Sequence, residues 1–185
     1  MKFLETLRAE NGLIKYLEYH KSRIKSSCGH NIELNLDPPP IGVWRVRVVY
    51  SEKIESIEYI PYNQPSINSL QMIEADNLNY SYKFENRDNL NNLFTQRKSS
   101  DDVLIVKNSL ITDTTIANIA FFDGQQWLTP TYPLLNGTTR ARLIDDNFLI
   151  QANIKANEVK NFKKFALMNS LIGFLEIQNG IIHPC

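Results

Sequence analysis

The sequence predicts an α+β fold in two lobes, and three observations predict it. Period-2 runs of bulky and charged residues, the longest over Val43 to Tyr50, alternate with a few short segments of helical spacing. A proline run at Asp37-Pro38-Pro39-Pro40 interrupts the first part of the chain. The stretch Ala75-Asp76-Asn77 is the best boundary candidate, dividing an N-terminal lobe, residues 1–77, from a C-terminal lobe, residues 78–185. At roughly 100–200 residues per domain, a chain of this length holds one large domain or two small ones.

The elements follow in order. Residues 1–8 read as a short strand, Glu10-Asn11-Gly12 as a turn, and Leu13-Ile14-Lys15-Tyr16 as the strand completing a hairpin. From Leu17 the apolar spacing becomes Leu17, His20, Ile24, an amphipathic helix that Cys28-Gly29 should stop. After the proline break come Val43 to Tyr50, Lys53 to Ile60 and Ser66 to Glu74, three segments of strand character. Tyr82 to Arg97 has helical spacing in Phe84, Leu90, Leu93 and Phe94. Asp102 to Lys107 is an apolar strand that turns at Asn108-Ser109 and returns through Leu110-Ile111. Ile116 to Phe122, the turn Asp123-Gly124 and Gln126 to Thr129 make a further hairpin. Thr138 to Ile144 reads as a helix beginning just after Gly137, and a last hairpin is expected around Asn179-Gly180.

Composition excludes several classes. Hydrophobic residues are 43% of the chain, enough for a packed core. Lys+Arg and Asp+Glu are both 20, whereas a nucleic-acid partner needs an excess of cations. The two cysteines, Cys28 and Cys185, form neither a disulfide framework nor a metal-ligand spacing, so no metal is expected. No apolar run approaches the ~18 residues of a membrane helix, and no apolar signal region of the usual length fits between the charges at Lys2, Glu5 and Arg8. The expectation is a soluble cytoplasmic protein with no membrane or nucleic-acid partner.

Residue by residue, the local chemistry leaves alternatives open. Lys83 stands among Tyr80, Tyr82 and Phe84; it is either a desolvated amine suited to Schiff-base chemistry or an ordinary surface lysine. His20 and Arg23, three apart on one helix face, either address one anion or form a solvated face. Gly137-Thr138-Thr139-Arg140 offers backbone and hydroxyl donors to a phosphate, or is a simple threonine cap. Asp113 is a site acid or a turn acid. There is no nucleotide phosphate loop, no dinucleotide fingerprint and no zinc pattern.

The order of these segments resembles the class IV aminotransferase family of fold-type IV pyridoxal-phosphate enzymes. Phe3-Leu4-Glu5-Thr6-Leu7-Arg8 is similar to the family's Phe-Glu-Thr-x-Arg strand, and Tyr19-His20-Lys21-Ser22-Arg23-Ile24 to its His-x-x-Arg-Leu helix. Lys83-Phe84-Glu85-Asn86-Arg87 resembles the catalytic lysine segment, in the Lys-x-x-Asn-Arg form found in some aminodeoxychorismate lyases. Ile111 to Phe121 resembles the Thr-Glu-x-x-x-x-Asn-Leu-Phe hallmark, and Leu128-Thr129-Pro130 and Gly137-Thr138-Thr139-Arg140 the downstream elements.

The resemblance implies a two-lobed D-amino-acid aminotransferase-like fold, with a small N-terminal lobe and a larger barrel-like C-terminal lobe. Pyridoxal 5'-phosphate would be the cofactor and Lys83 the catalytic Schiff-base lysine. Arg23, the N–H groups of Thr138 and Thr139 and the Ser170 hydroxyl would hold the phosphate, and Asp113 the pyridine nitrogen. Arg8, Arg45 and Arg87 are the candidates for the amino substrate. The family usually carries Glu where Asp113 stands, and many aminotransferases place a tyrosine where Arg87 stands. The chain is expected to lack the family's opening hairpin, and no Arg-x-His pair for a D-amino-acid carboxylate is present. The Asn86-Arg87 form and the missing D-amino-acid carboxylate pair favour a 4-amino-4-deoxychorismate lyase on the folate route, and the resemblance implies a homodimer. The rivals are a branched-chain or D-amino-acid aminotransferase and a non-catalytic cofactor-binding relative.

Overall fold

Strand β1, Phe3–Glu10, begins with three buried residues and from Glu5 onward buries every second side chain, and this alternation makes it the floor of the first sheet. The computed structural model describes residues 1–185 and divides into two compact units, Met1–Gln64 with Tyr82–Asn86, and Pro65–Ser81 with Arg87–Cys185. In the first unit β1 is followed by β2 (Leu13–Ile14), helix α1 (Leu17–Cys28), β3 (Val43–Tyr50) and β4 (Ile54–Pro61), with sheet order β2-β1-β3-β4. All pairings in it are antiparallel. One face packs Phe3, Leu7, Ala9, Val46, Val48 and Tyr50 against Ile24 of α1. The opposite face carries Thr6 and Arg8 of β1 and, in register with them, Arg47 and Arg45 of β3. Helix α1 stops as expected: Gly29 turns left-handed at φ 83° and its N–H bonds the Lys25 carbonyl at 2.8 Å.

The helix expected from Tyr82 begins six residues later. Residues 82–86 instead run along β1: Phe3 and Phe84 form an antiparallel bridge, and the Leu4 N–H donates to the Lys83 carbonyl at 2.8 Å. A free strand edge offers these groups partners that a helical turn would forgo. Helix α2 therefore spans only Asp88–Thr95, in the second unit.

That unit holds β5 (Ser69–Glu74), β6 (Asp102–Lys107), β7 (Leu110–Thr114), β8 (Asn118–Phe122), β9 (Trp127–Pro130), α3 (Thr138–Asp145), β10 (Leu149–Ala152), β11 (Lys164–Asn169), β12 (Gly173–Ile177) and β13 (Ile181–His183). Its nine-stranded sheet runs β10-β9-β8-β7-β6-β5-β13, with β11 on β8 and β12 on β11. Strands β8 and β11 bury both faces: Ile119, Phe121, Phe165 and Leu167 face one apolar cluster, Ala120, Ala166 and Met168 another beneath α3. Burial on both sides explains why these strands are nearly continuous apolar runs.

Several strands differ from the sequence reading. The return strand after Asn108-Ser109 extends to Thr114, and β10 was not foreseen. No hairpin closes at Asn179-Gly180, because β12 pairs with β11 while β13 pairs in parallel with β5. A turn pattern in sequence does not name the strand that the following residues will meet. No helix is long and apolar enough to cross a membrane.

Candidate functional site

In the first unit, β1 and α1 build a buried charge cluster. Glu5 lies on the core face of β1, fully buried, between Phe3 and Leu7. Arg23 binds its carboxylate with two donors, Nε to Oε1 at 2.7 Å and Nη2 to Oε2 at 2.5 Å. His20, one helical turn earlier, donates from Nδ1 to Oε2 at 2.6 Å. Burial pushes the Glu5 carboxyl up, but the Arg23 guanidinium and the two hydrogen-bond partners outweigh it and hold the pKa at about 2. His20 and Arg23 thus do address one anion, and it is a side chain of the protein itself; the solvated-face alternative does not describe them. Glu5 itself was missed, although an acid between Phe3 and Leu7 on an apolar strand face is a readable signal.

Lys83 is half-buried beside β1, held by its backbone contact with Leu4. Phe84 stacks on Phe3 on the core side, with ring centroids 5.9 Å apart. Alternation therefore turns Lys83 and Glu85 to the opposite face, where Glu85 meets Arg47 at 3.4 Å. Arg8 and Arg45 occupy this same face, directly across the β1–β3 ladder from each other.

In the second unit the centre is Asp113 on β7. Its Oδ1 accepts from Asn118 Nδ2 at 2.7 Å and its Oδ2 from the Leu135 N–H at 2.8 Å. Burial pushes this carboxyl up to about 7, because those hydrogen bonds and the charge of Arg140 recover only part of the lost hydration. Asn118 also donates to the Leu135 carbonyl at 2.8 Å. Its side chain lies so close over Gly137 that a Cβ there would fall on its oxygen. Gly137 caps α3 with no side-chain hydrogen bond, and Thr138 and Thr139, both buried, open the helix. The first N–H groups of a helix have no partner within it, so this end suits an anion.

Arg140 points away from that end: Nη2 donates to the Pro130 carbonyl at 2.7 Å and to Gln151 at 3.0 Å, tying α3 to β9 and β10. Ser170 is half-buried in the turn between β11 and β12, which Asn169 shapes by accepting from the Leu171 and Ile172 N–H groups. Arg87 donates to the Thr115 carbonyl at 2.7 Å, so part of its fork is committed to the β7–β8 turn. The structure thus groups Lys83, Arg8 and Arg45 on one sheet face of the first unit, with Arg23 on the other. It places Asp113, Thr138, Thr139, Ser170 and Arg87 in the second unit. A cavity of about 320 Å³ lined by Thr112, Tyr132 and Leu134 in that unit involves none of these residues.

The mixed α/β architecture, with its four-stranded and nine-stranded sheets, is that of the fold-type IV aminotransferases. The chain belongs to the class IV aminotransferase family, whose model matches residues 48–179, and so to a family of enzymes. An uncharacterized protein of Haemophilus influenzae is 30% identical over 182 residues, covering 91% of this chain and 97% of its own length. A candidate 4-amino-4-deoxychorismate lyase from Haemophilus somnus superposes with a TM-score of 0.85 at 28% identity, covering 93% of this chain and 97% of that one. A candidate amino-acid aminotransferase from Mesorhizobium loti superposes at 0.81 and 20% identity, over 100% of this chain and 99% of that one, a likeness of fold.

Proposed function

We propose that this protein is a pyridoxal-phosphate-dependent 4-amino-4-deoxychorismate lyase, releasing pyruvate and leaving 4-aminobenzoate. The observation that carries the class of chemistry is Asp113, a buried carboxyl on β7 that accepts from the Asn118 amide and the Leu135 N–H and is still raised to about 7. Such a group is relieved by a cationic N–H, and a protonated pyridine nitrogen is one. The uncapped start of α3 suits a phosphate equally well, so the residues fit the cofactor. Similarity to the Haemophilus somnus protein over nearly the whole of both chains supports the lyase over the transaminase.

The cofactor, when bound, supplies an aldehyde and an electron-accepting ring. Lys83 provides the amine that binds the aldehyde. Its Nζ would take the proton from the amine-bearing ring carbon; the bond between the neighbouring ring carbon and the ether oxygen would then break, the oxygen leaving with the three-carbon unit, which takes up a proton to become pyruvate as the ring becomes aromatic. In the first unit Arg23, held in one orientation by Glu5, is the candidate for the phosphate. In the second unit the N–H groups of Thr138 and Thr139 and the Ser170 hydroxyl would serve the phosphate, and Asp113 would hold the ring nitrogen. Arg8, Arg45 and Arg87 are the candidates for substrate contact.

The same reading places the protein in the cytoplasm, on the folate route, as a homodimer. Leu13, Tyr16 and Ile41 stay 65%, 57% and 80% exposed and offer apolar surface to a second copy. The test is release of pyruvate from 4-amino-4-deoxychorismate by loaded protein with no 2-oxo acid present. Release at a steady rate supports the lyase; amino transfer that continues only when a 2-oxo acid is added makes it an aminotransferase.

A further inference from the structure

Three arginines share the Lys83 face of the first sheet, and two of them have a carboxylate. Arg47 reaches Glu58 at 3.3 Å and Glu85 at 3.4 Å. Arg8 lies 3.6 Å from Glu10, which Lys15 also approaches at 3.8 Å. Arg45 has no acidic partner, and its Nε is buried with nothing to donate to. It also stands directly opposite Arg8 in the ladder, where like charges destabilise a sheet. A buried donor left unpaired costs further free energy, so nothing in the packing of the fold explains this guanidinium.

Tyr62 converges on the same place. Ile60 pairs with Arg45 across β3 and β4, and Tyr62, two residues on, falls on the same face, its N–H bonded to the Val43 carbonyl at 2.9 Å. Burial raises the Tyr62 phenol above its usual range, and the positive charges of Arg8 and Arg45 draw it back. Arg45 and Tyr62 thus share a sheet face with Arg8, whose Glu10 is also approached by Lys15. A planar anion that accepts from several directions suits the orphaned Arg45 Nε beside a phenol and a second guanidinium, and a carboxylate is one.

We propose that Arg45, with Arg8 and Tyr62, forms the carboxylate-binding site of this protein, receiving a carboxylate of the amine substrate on the face that carries Lys83. The word substrate rests on the lyase reading; the binding of a carboxylate does not.

The test is calorimetric titration of cofactor-loaded protein with 4-aminobenzoate and with aniline, the same ring without the carboxylate. Wild type should bind 4-aminobenzoate and not aniline. Arg45→Gln should bind 4-aminobenzoate about tenfold more weakly, Arg45→Lys should recover part of the loss, and Tyr62→Phe should weaken binding a few-fold. Arg45→Gln should also melt no lower than wild type, because it removes a like-charge contact. Unchanged binding in Arg45→Gln, a clearly lowered melting temperature in that variant, or no binding of 4-aminobenzoate to wild type would each overturn the proposal. Carboxylate binding that depends on Arg45 in a protein that releases no pyruvate would sink the lyase reading and leave this site standing.

Discussion

At the scale of single residues, two buried carboxyls do opposite things with protons. Glu5 is held at about 2 in the fold against an ordinary 4.5, so its contribution to stability is complete above about pH 4.5 and disappears as pH falls toward 2. Replacing it by Gln leaves Arg23 buried against a neutral partner and should cost about 3 kcal/mol in urea unfolding at neutral pH. The gap between variant and wild type should narrow at pH 3. Asp113 runs the other way. Its folded value near 7 lies above the ordinary 3.8, so the fold keeps a proton that the unfolded chain loses, and stability falls as pH rises from about 4 to 7. The slope approaches about 1.4 kcal/mol per pH unit at most. Asp113→Asn should flatten it in thermal melts without cofactor, and pyridoxal phosphate should reduce it in wild type only. His20 and Arg23 were legible as a pair that could meet one anion, but their actual partner lies fifteen and eighteen residues away on another element. Spacing along a helix shows which side chains point together, not what they point at.

At the scale of elements, alternation and glycine stops made β1, β3, β4 and α1 readable almost to the residue, since each is stabilised by a single buried face. Elements decided by distant partners were not readable. Residues 82–86 have helical spacing but bond the open edge of β1, and Ile181–His183 pair in parallel with Ser69–Gln71 across more than a hundred residues of chain. The start of α3 depends on a close approach as well as on propensity. Gly137 leaves room for the Asn118 amide that bonds Asp113 and Leu135. Gly137→Ala should therefore lose about 1–3 kcal/mol by overpacking and take up pyridoxal phosphate more weakly. Urea unfolding and a cofactor titration on the same sample check both effects.

At the scale of the whole molecule, each of the two compact units has its own sheet and core, and their predicted site residues were visible only as separate weak motifs. The second sheet depends on the end of the chain. Strand β13 covers the edge of β5, and the Gln71 amide donates to the Pro184 carbonyl at 2.6 Å. Deleting residues 181–185 should expose that edge, lower amide protection across Ser69–Glu74 in hydrogen exchange and promote association on a sizing column. The central claim, that Lys83 carries pyridoxal phosphate, is tested most directly by absorption spectra of purified protein with the cofactor, before and after borohydride, in wild type and Lys83→Ala. The account predicts a Schiff-base band in wild type that borohydride converts to a permanent adduct, and neither in the variant. Folded wild-type protein with no such band, or an adduct that persists in Lys83→Ala, would contradict it.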